Sequence, residues 1–301
     1  MPKIAYGDQK VLSPGKRRMI AQANEIIAEY ASQGLDLTLR QLYYQFVARD
    51  IIPNKQTEYK RLGDVIADGR LAGLVDWHAI VDRTRFVRSL SHWDGPADVL
   101  NSAAVGYRTD RWDGQPYRPE VWIEKDALVG VIAGVCERYD VPYFSCRGYT
   151  SLSEMWSAGR RLRSYVLNNQ TPMIFHFGDH DPSGMDMTRD IRDRLSMFSN
   201  DVVEVERLAL NFNQIQEFNP PPNPAKLTDS RANAYVAEFG DESWELDALD
   251  PRRLASLIET SITALIERGP WGDAEMHDAD AKKTLAQIAA RYEDVKEFLE
   301  A

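Results

Sequence analysis

Cysteine is nearly absent from this chain: Cys136 and Cys146 are the only two in 301 residues. So small a number excludes a disulfide framework and a cysteine-built zinc cluster. Histidine is scarce too, with five in all and none paired with His180 at ligand spacing, so zinc is not expected there either. Long apolar runs are missing, and the opening MPKIAYGDQKVLSPGKRR has no apolar signal core. No membrane contact is expected, and the expected compartment is the cytoplasm. No GxxxxGK[ST] phosphate loop occurs, so no ATP site is expected.

What is present reads as a globular protein, 44% hydrophobic and 27% charged. The net charge of −10 is unevenly spread. Residues 1–90 carry 14 Lys/Arg against 10 Asp/Glu, residues 91–195 carry 12 against 15, and residues 196–301 carry 10 against 21. A basic front and an acidic tail leave room for a local DNA-binding face despite the overall sign.

An irregular arm is expected over residues 1–15, ending in Ser13-Pro14-Gly15. Helical periodicity then follows in KRRMIAQANEIIAEYASQG, with Ile20, Ala23, Ile26, Ile27 and Tyr30 on one face and Gly34 as its stop. In LDLTLRQLYYQFVARDIIPN, Thr38 has the character of an N-cap, and Leu39, Leu42, Tyr43, Phe46 and Val47 form a buried stripe. A third helix, TEYKRLGDVIADGRLAG, and a basic strand-like segment beyond it complete the outline of a winged helix-turn-helix. Residues 91–116, rich in Asp, Gly and Trp, read as a connector.

From residue 117 the pattern alternates. Strands are expected at 120–124, 141–146, 173–178 and 202–210, with helices at 126–139, 151–168 and 183–198 between them. Such a series implies a mainly parallel sheet covered by helices, whose ligands gather beyond the carboxyl ends of the strands. The tail holds NPPPNP (219–224), read as a stiff connector, and acidic helices near 251–268 and 278–300.

Glu124 ends the first of these strands, and Asp179-His180-Asp181-Pro182-Ser183-Gly184 follows the third. Like charges so placed are costly unless a cation lies between them, and oxygen ligands at a strand rim suit Mg²⁺, with Mn²⁺ as an alternative. Glu124, Asp179 and Asp181 are therefore the candidate metal ligands. The opposing possibility is that Glu124 pairs with Lys125 while the aspartates cap a turn.

Glu124-Lys125-Asp126-Ala127-Leu128 and Asp179-His180-Asp181-Pro182-Ser183-Gly184 resemble the two motifs of the Toprim domain of topoisomerases, primases and some nucleases. The second is most similar to the form in the A subunit of topoisomerase VI and the Spo11 protein. Leu39-Arg40-Gln41-Leu42-Tyr43-Tyr44 matches the setting of that family's catalytic tyrosine, with Tyr44 in the nucleophile position and Arg40 one turn before it. The similarity spans roughly residues 20 to 250, and in its short length the chain resembles the compact stand-alone forms of phages and mobile elements, which implies a place at the nucleoid or in a phage-infected host cell.

The resemblance implies an α/β protein. An N-terminal winged-helix (CAP-like) domain would occupy 1–110, and a Rossmann-like Toprim domain with an acidic helical extension would occupy 111–301. It further implies a type IIB topoisomerase A-like enzyme acting on double-stranded DNA as a homodimer. The tyrosine of one protomer would meet the metal site of the other, and a separate ATPase B-type subunit is a possible partner. On helical spacing, Tyr43 belongs to the core and Tyr44, about 100° further round, can point outward. A phenol with pKa of about 10 needs a base, a cation or an arginine to attack a phosphodiester at neutral pH. The products would be a 5′-phosphotyrosine link and a free 3′-hydroxyl. Lys60, Arg61, Arg70, Arg83 and Arg85 are candidate DNA contacts, with Arg88, Arg160, Arg161 and Arg163 behind them. Two alternatives stay open: a Toprim nuclease that hydrolyses DNA with a metal and water, and a catalytically silent DNA-binding protein.

Overall fold

The computed structural model describes residues 3–6, 12–80, 90–226, 228–229 and 231–301. Its N-terminal part is built from three helices, α1 (Pro14–Ala31), α2 (Leu39–Ala48) and α3 (Gln56–Leu71). Ser13 caps α1 by accepting from the Lys16 amide, and Pro14 occupies its first turn. The Ser-Pro-Gly stretch therefore starts the helix instead of closing an irregular arm. Thr38 caps α2 in a reciprocal box with Gln41, as the sequence led one to expect. Met19, Ile20, Ala23 and Ile26 of α1 pack with Leu42, Phe46, Leu62, Val65 and Ile66 of the other two helices. Residues 81–89, where a wing was expected, lie outside the described residues, as do Arg83, Arg85 and Arg88.

Helix α4 (Pro96–Gly106) occupies the stretch read as a connector and packs along α11 (Arg268–Ala290). The α/β part follows: β1 (Tyr117–Ile123), α5 (Val129–Arg138), β2 (Tyr143–Ser145), α6 (Leu152–Leu167), β3 (Thr171–Phe177), α7 (Pro182–Ser199) and β4 (Glu204–Ala209). All neighbouring strands pair in parallel, in the order β2-β1-β3-β4. Side-chain alternation sends Trp122 and Ile174 to the face covered by α6 and α7. Val121, Ile123, Phe175 and Phe177 go to the opposite face, under α5 and α10 (Pro251–Ala264). The result is a three-layer α/β arrangement compatible with a Rossmann-like domain.

The remaining elements include α8 (Phe212–Phe218), β5 (Asn223–Pro224), α9 (Ala232–Phe239), β6 (Glu242–Ser243), a 3₁₀ turn at Leu246–Ala248 and α12 (Tyr292–Glu300). Strands β5 and β6 pair antiparallel, so part of the proline-rich stretch forms a small sheet. The 3₁₀ turn lies against α2, and Ala248 joins the N-terminal apolar core. No helix among the described residues is long and apolar enough to cross a membrane.

Candidate functional site

The chain runs from β1 to β2 on one side of β1 and returns as β3 on the other, so the topological switch point lies between β1 and β3. Crevices for ligands form at such points. The register pairs Ile123 with Phe177, which puts the next residues of the two strands side by side. The Glu124 amide donates to the Phe177 carbonyl at 2.8 Å, and the Asp179 amide donates to Glu124 Oε2 at 2.8 Å. The backbone of Asp179 is thus tied to the Glu124 carboxylate just beyond the strand ends.

Asp181 has a second task. It is the N-cap of α7, where its Oδ1 accepts from the Gly184 amide at 2.7 Å and the Ser183 hydroxyl at 2.9 Å. Its Oδ2 faces the Lys226 ammonium at 3.9 Å. The capping alternative therefore holds for Asp181, whose second oxygen has only the Lys226 ammonium near it among the described residues. Gly184 is required by the close approach: a Cβ there would collide with the Asp179 carbonyl oxygen.

Burial and the neighbouring Asp179 charge push the Glu124 carboxyl up to about 7. Asp179 is raised as well, chiefly by burial, although Lys125 opposes the shift. Lys125 does not pair with Glu124 as the capping alternative supposed. Its ammonium sits 3.0 Å from Asp179 Oδ1, 3.0 Å from Glu245 Oε2 and 3.4 Å from Asp247 Oδ2. Asp179 Oδ1 also accepts from the Leu246 amide at 2.8 Å. Burial alone would lower the lysine; three surrounding carboxylates raise it instead.

Tyr44 is buried, only 4% exposed, which corrects its expected outward orientation. The cause is the 245–248 segment, which lies over α2 and covers the tyrosine. Tyr44 Oη donates to Glu245 Oε2 at 3.3 Å. The same Glu245 oxygen receives Arg40 Nη2, and Arg40 Nε lies 3.0 Å from Asp247 Oδ2. The Arg40 guanidinium is 5.8 Å from the centroid of the Tyr44 ring. Burial and the Glu245 charge raise the Tyr44 phenol above its ordinary value, against the pull of Arg40. A cleft of about 270 Å³, lined by Arg40, Tyr43, Tyr44, Tyr59, Asn223 and Glu245 among others, opens beside this pair.

A continuous chain of contacts therefore runs Tyr44–Glu245–Lys125–Asp179 within one polypeptide. Glu245 and Asp247, which make the connection, were not singled out from sequence. They sit in an acidic tail where no local pattern separates them from solvated neighbours. Arg207 was missed as well. From β4 its guanidinium donates to the carbonyls of Gly178 at 2.9 Å, Asp179 at 2.6 Å and Gly184 at 2.9 Å, and to Thr188 Oγ1 at 2.9 Å. It holds the loop that carries both aspartates. Burial lowers it to about 10, leaving it charged at neutral pH.

The other basic candidates lie apart from this cluster. Lys60 is exposed, and Arg61 pairs with Glu58 at 3.1 Å on the surface of α3. Arg70 is spent on the carbonyls of Trp77 at 3.0 Å and Ile80 at 2.6 Å. Arg161 forms a two-pronged pair with Glu120 at 2.8 and 2.9 Å, while Arg160 is exposed and Arg163 half-buried.

The donor set can be judged against a divalent ion. Among the described residues, no group of three or more His, Cys, Asp or Glu is spaced to hold a metal. Mg²⁺ does not need such a cage, because it keeps waters and takes one or two carboxylates together with phosphate oxygens. Glu124 Oε1 and Asp179 Oδ2 accept no hydrogen bond among the described residues. Free carboxylate oxygens are donors of the kind that a hard divalent ion takes.

The chain matches no protein-family model, no curated protein and no solved structure.

Proposed function

We propose that this protein is a DNA-cleaving and rejoining enzyme of the topoisomerase VI A-subunit type, acting on double-stranded DNA by tyrosyl transfer. The observation that carries the proposal is the contact chain joining Tyr44 and Arg40 to the rim of Glu124 and Asp179. Tyr44 Oη would form the bond to phosphorus, leaving a 5′-phosphotyrosine link and a free 3′-hydroxyl. Arg40, beside the phenol, would oppose the charge of the phenolate and of the incoming phosphate. Glu124 and Asp179, with Asp181 beside them, would hold Mg²⁺ or Mn²⁺. When bound, that ion supplies positive charge for the phosphate and the departing oxygen. Arg207 keeps the aspartate loop in place. A homodimer would present two such sites, one for each strand, and energy for strand passage would come from a separate ATPase subunit.

The burial of Tyr44 favours a second proposal: hydrolysis of DNA by the acidic rim with water as nucleophile, Tyr44 serving only as a packing residue. Both are tested by incubating the protein with supercoiled plasmid and Mg²⁺ or Mn²⁺, stopping with detergent, and treating half of each sample with protease. Protein-linked breaks absent from Tyr44→Phe and Glu124→Gln establish tyrosyl transfer. Free ends that survive Tyr44→Phe but not Glu124→Gln establish hydrolysis.

A further inference from the structure

We infer that Glu245 is the base that takes the phenolic proton of Tyr44 as the tyrosine attacks DNA, an inference that rests on the tyrosyl-transfer proposal. Tyr44 Oη donates to Glu245 Oε2 at 3.3 Å, and no other side-chain acceptor receives it among the described residues. A base must lie within hydrogen-bond reach of the proton it removes, and Glu245 meets that geometry before any ligand is bound. It reaches the phenol from the segment just after β6, far from α2 in the chain.

The surroundings of Glu245 suit the task. Lys125 at 3.0 Å and Arg40 both contact its Oε2 and keep the carboxylate ionised, ready to accept. Together they hold it below the ordinary carboxylate range despite its burial. That same pairing makes it a weak base at rest, so proton removal must accompany formation of the oxygen–phosphorus bond. Arg40 then faces the growing phenolate, and a phosphate entering the cleft would draw Arg40 from Glu245, raising the carboxylate's basicity. The groups facing Tyr44 are Arg40 and Tyr43 from α2, Tyr59 from α3 and Lys55 just before it, Asn223 from β5, and Glu245 beyond β6. Lys125 and Asp247 stand behind Glu245.

The step balances as follows. The proton of Tyr44 passes to Glu245 Oε2, and the freed electron pair of Oη forms the bond to phosphorus. The bond from phosphorus to the 3′ oxygen breaks, and that oxygen leaves with its electron pair and takes a proton from water. Glu245 returns its proton to solvent, so no oxidant, reductant or further reactant is needed.

The test measures single-turnover formation of the protein–DNA adduct by the full chain, with Mn²⁺ and plasmid, from pH 5.5 to 9.5. Wild type is compared with the isosteric Glu245→Gln. A positioned base contributes about 10²- to 10⁴-fold, so the variant should be at least a hundredfold slower at pH 7. Its rate should then climb about tenfold per pH unit, because only solvent ionisation of the phenol remains to activate it. Replacing Tyr44 by a fluorinated tyrosine, whose phenol is more acidic, should recover most of the loss in Glu245→Gln and change the wild type little. If the fluorinated residue speeds both backgrounds equally and the two pH profiles run parallel, Glu245 is only a packing partner and the inference fails. Because each background is compared with itself, a lower folded fraction in the variant does not mimic either result. Absence of any adduct in wild type would overturn the tyrosyl-transfer proposal and this inference with it; an adduct with parallel profiles overturns the inference alone.

Discussion

Lys125 Nζ contacts Asp179 Oδ1 at 3.0 Å, joining two residues that follow the ends of adjacent parallel strands. The lysine beside Glu124 in the chain thus serves its neighbour across the sheet, and Glu124 is left as the carboxylate with no ion-pair partner among the described residues. This division of roles makes the two carboxylates respond differently to substitution, to pH and to metal.

Removing the lysine should be expensive. Lys125→Met leaves Asp179, Glu245 and Asp247 close together without their shared cation. Breaking a buried pair by deleting one partner typically costs about 3–5 kcal/mol. Urea unfolding at pH 7 should show a loss of about 3 kcal/mol, and adding Asp247→Asn should return part of it. A loss under 1 kcal/mol would mean that the ammonium is not needed there.

The pH dependence follows from Glu124. Its folded carboxyl titrates near 7 against an ordinary 4.5, so the protonated form is favoured by folding. That contribution is complete below about 4.5 and is lost as pH rises through 7. Without divalent metal, wild type should therefore lose on the order of 2 kcal/mol relative to Glu124→Gln across that window, after discounting for partial exposure. Thermal melts of both proteins at pH 4.5 and 8 would check this. Millimolar Mg²⁺ should recover stability at pH 8 in wild type and not in Glu124→Gln.

The aspartate loop depends on Arg207 and Gly184. Arg207→Lys gives up the forked geometry that reaches three carbonyls and should cost about 2–4 kcal/mol, since those acceptors lose charged hydrogen bonds in a dry setting. Gly184→Ala must move the Asp179 carbonyl and should cost a similar amount. Urea unfolding measures both, and amide exchange of residues 179–184 would rise in each variant.

Contacts within one chain predict the outcome of mixing inactive proteins. If Tyr44 serves the rim of its own chain, Tyr44→Phe mixed with Glu124→Gln contains no complete site and stays inactive. If the tyrosine serves its partner's rim, as the family resemblance implied, the mixed dimer holds one complete site and nicks a single strand. A gel of nicked against linear plasmid distinguishes the two, with no recovery expected.

Much of the architecture was legible because it rests on local periodicity. The 3.6-residue stripes of α1 and α2, the Thr38 cap and the strand–helix alternation from 117 onward are set by neighbours along the chain. Glu124 and Asp179 could be placed at one rim for the same reason, since strand ends define it. The helix at 96–106 was missed because its composition, with Gly95, Pro96 and Gly106 at its ends, resembles a linker. Its packing against α11, distant in the chain, is what makes it a helix of the fold.

The sequence by itself determined the three N-terminal helices, the parallel sheet and the location of the acidic rim, since these follow from which residues recur at which spacing. Only the tertiary structure decided which charge meets which. Lys125 turned to Asp179, Tyr44 went under Glu245, and Arg207 was threaded beneath the aspartate loop, each through a contact between segments far apart in the chain. Pairings of that kind depend on how layers pack, and at such distances the order of residues carries no periodic signal.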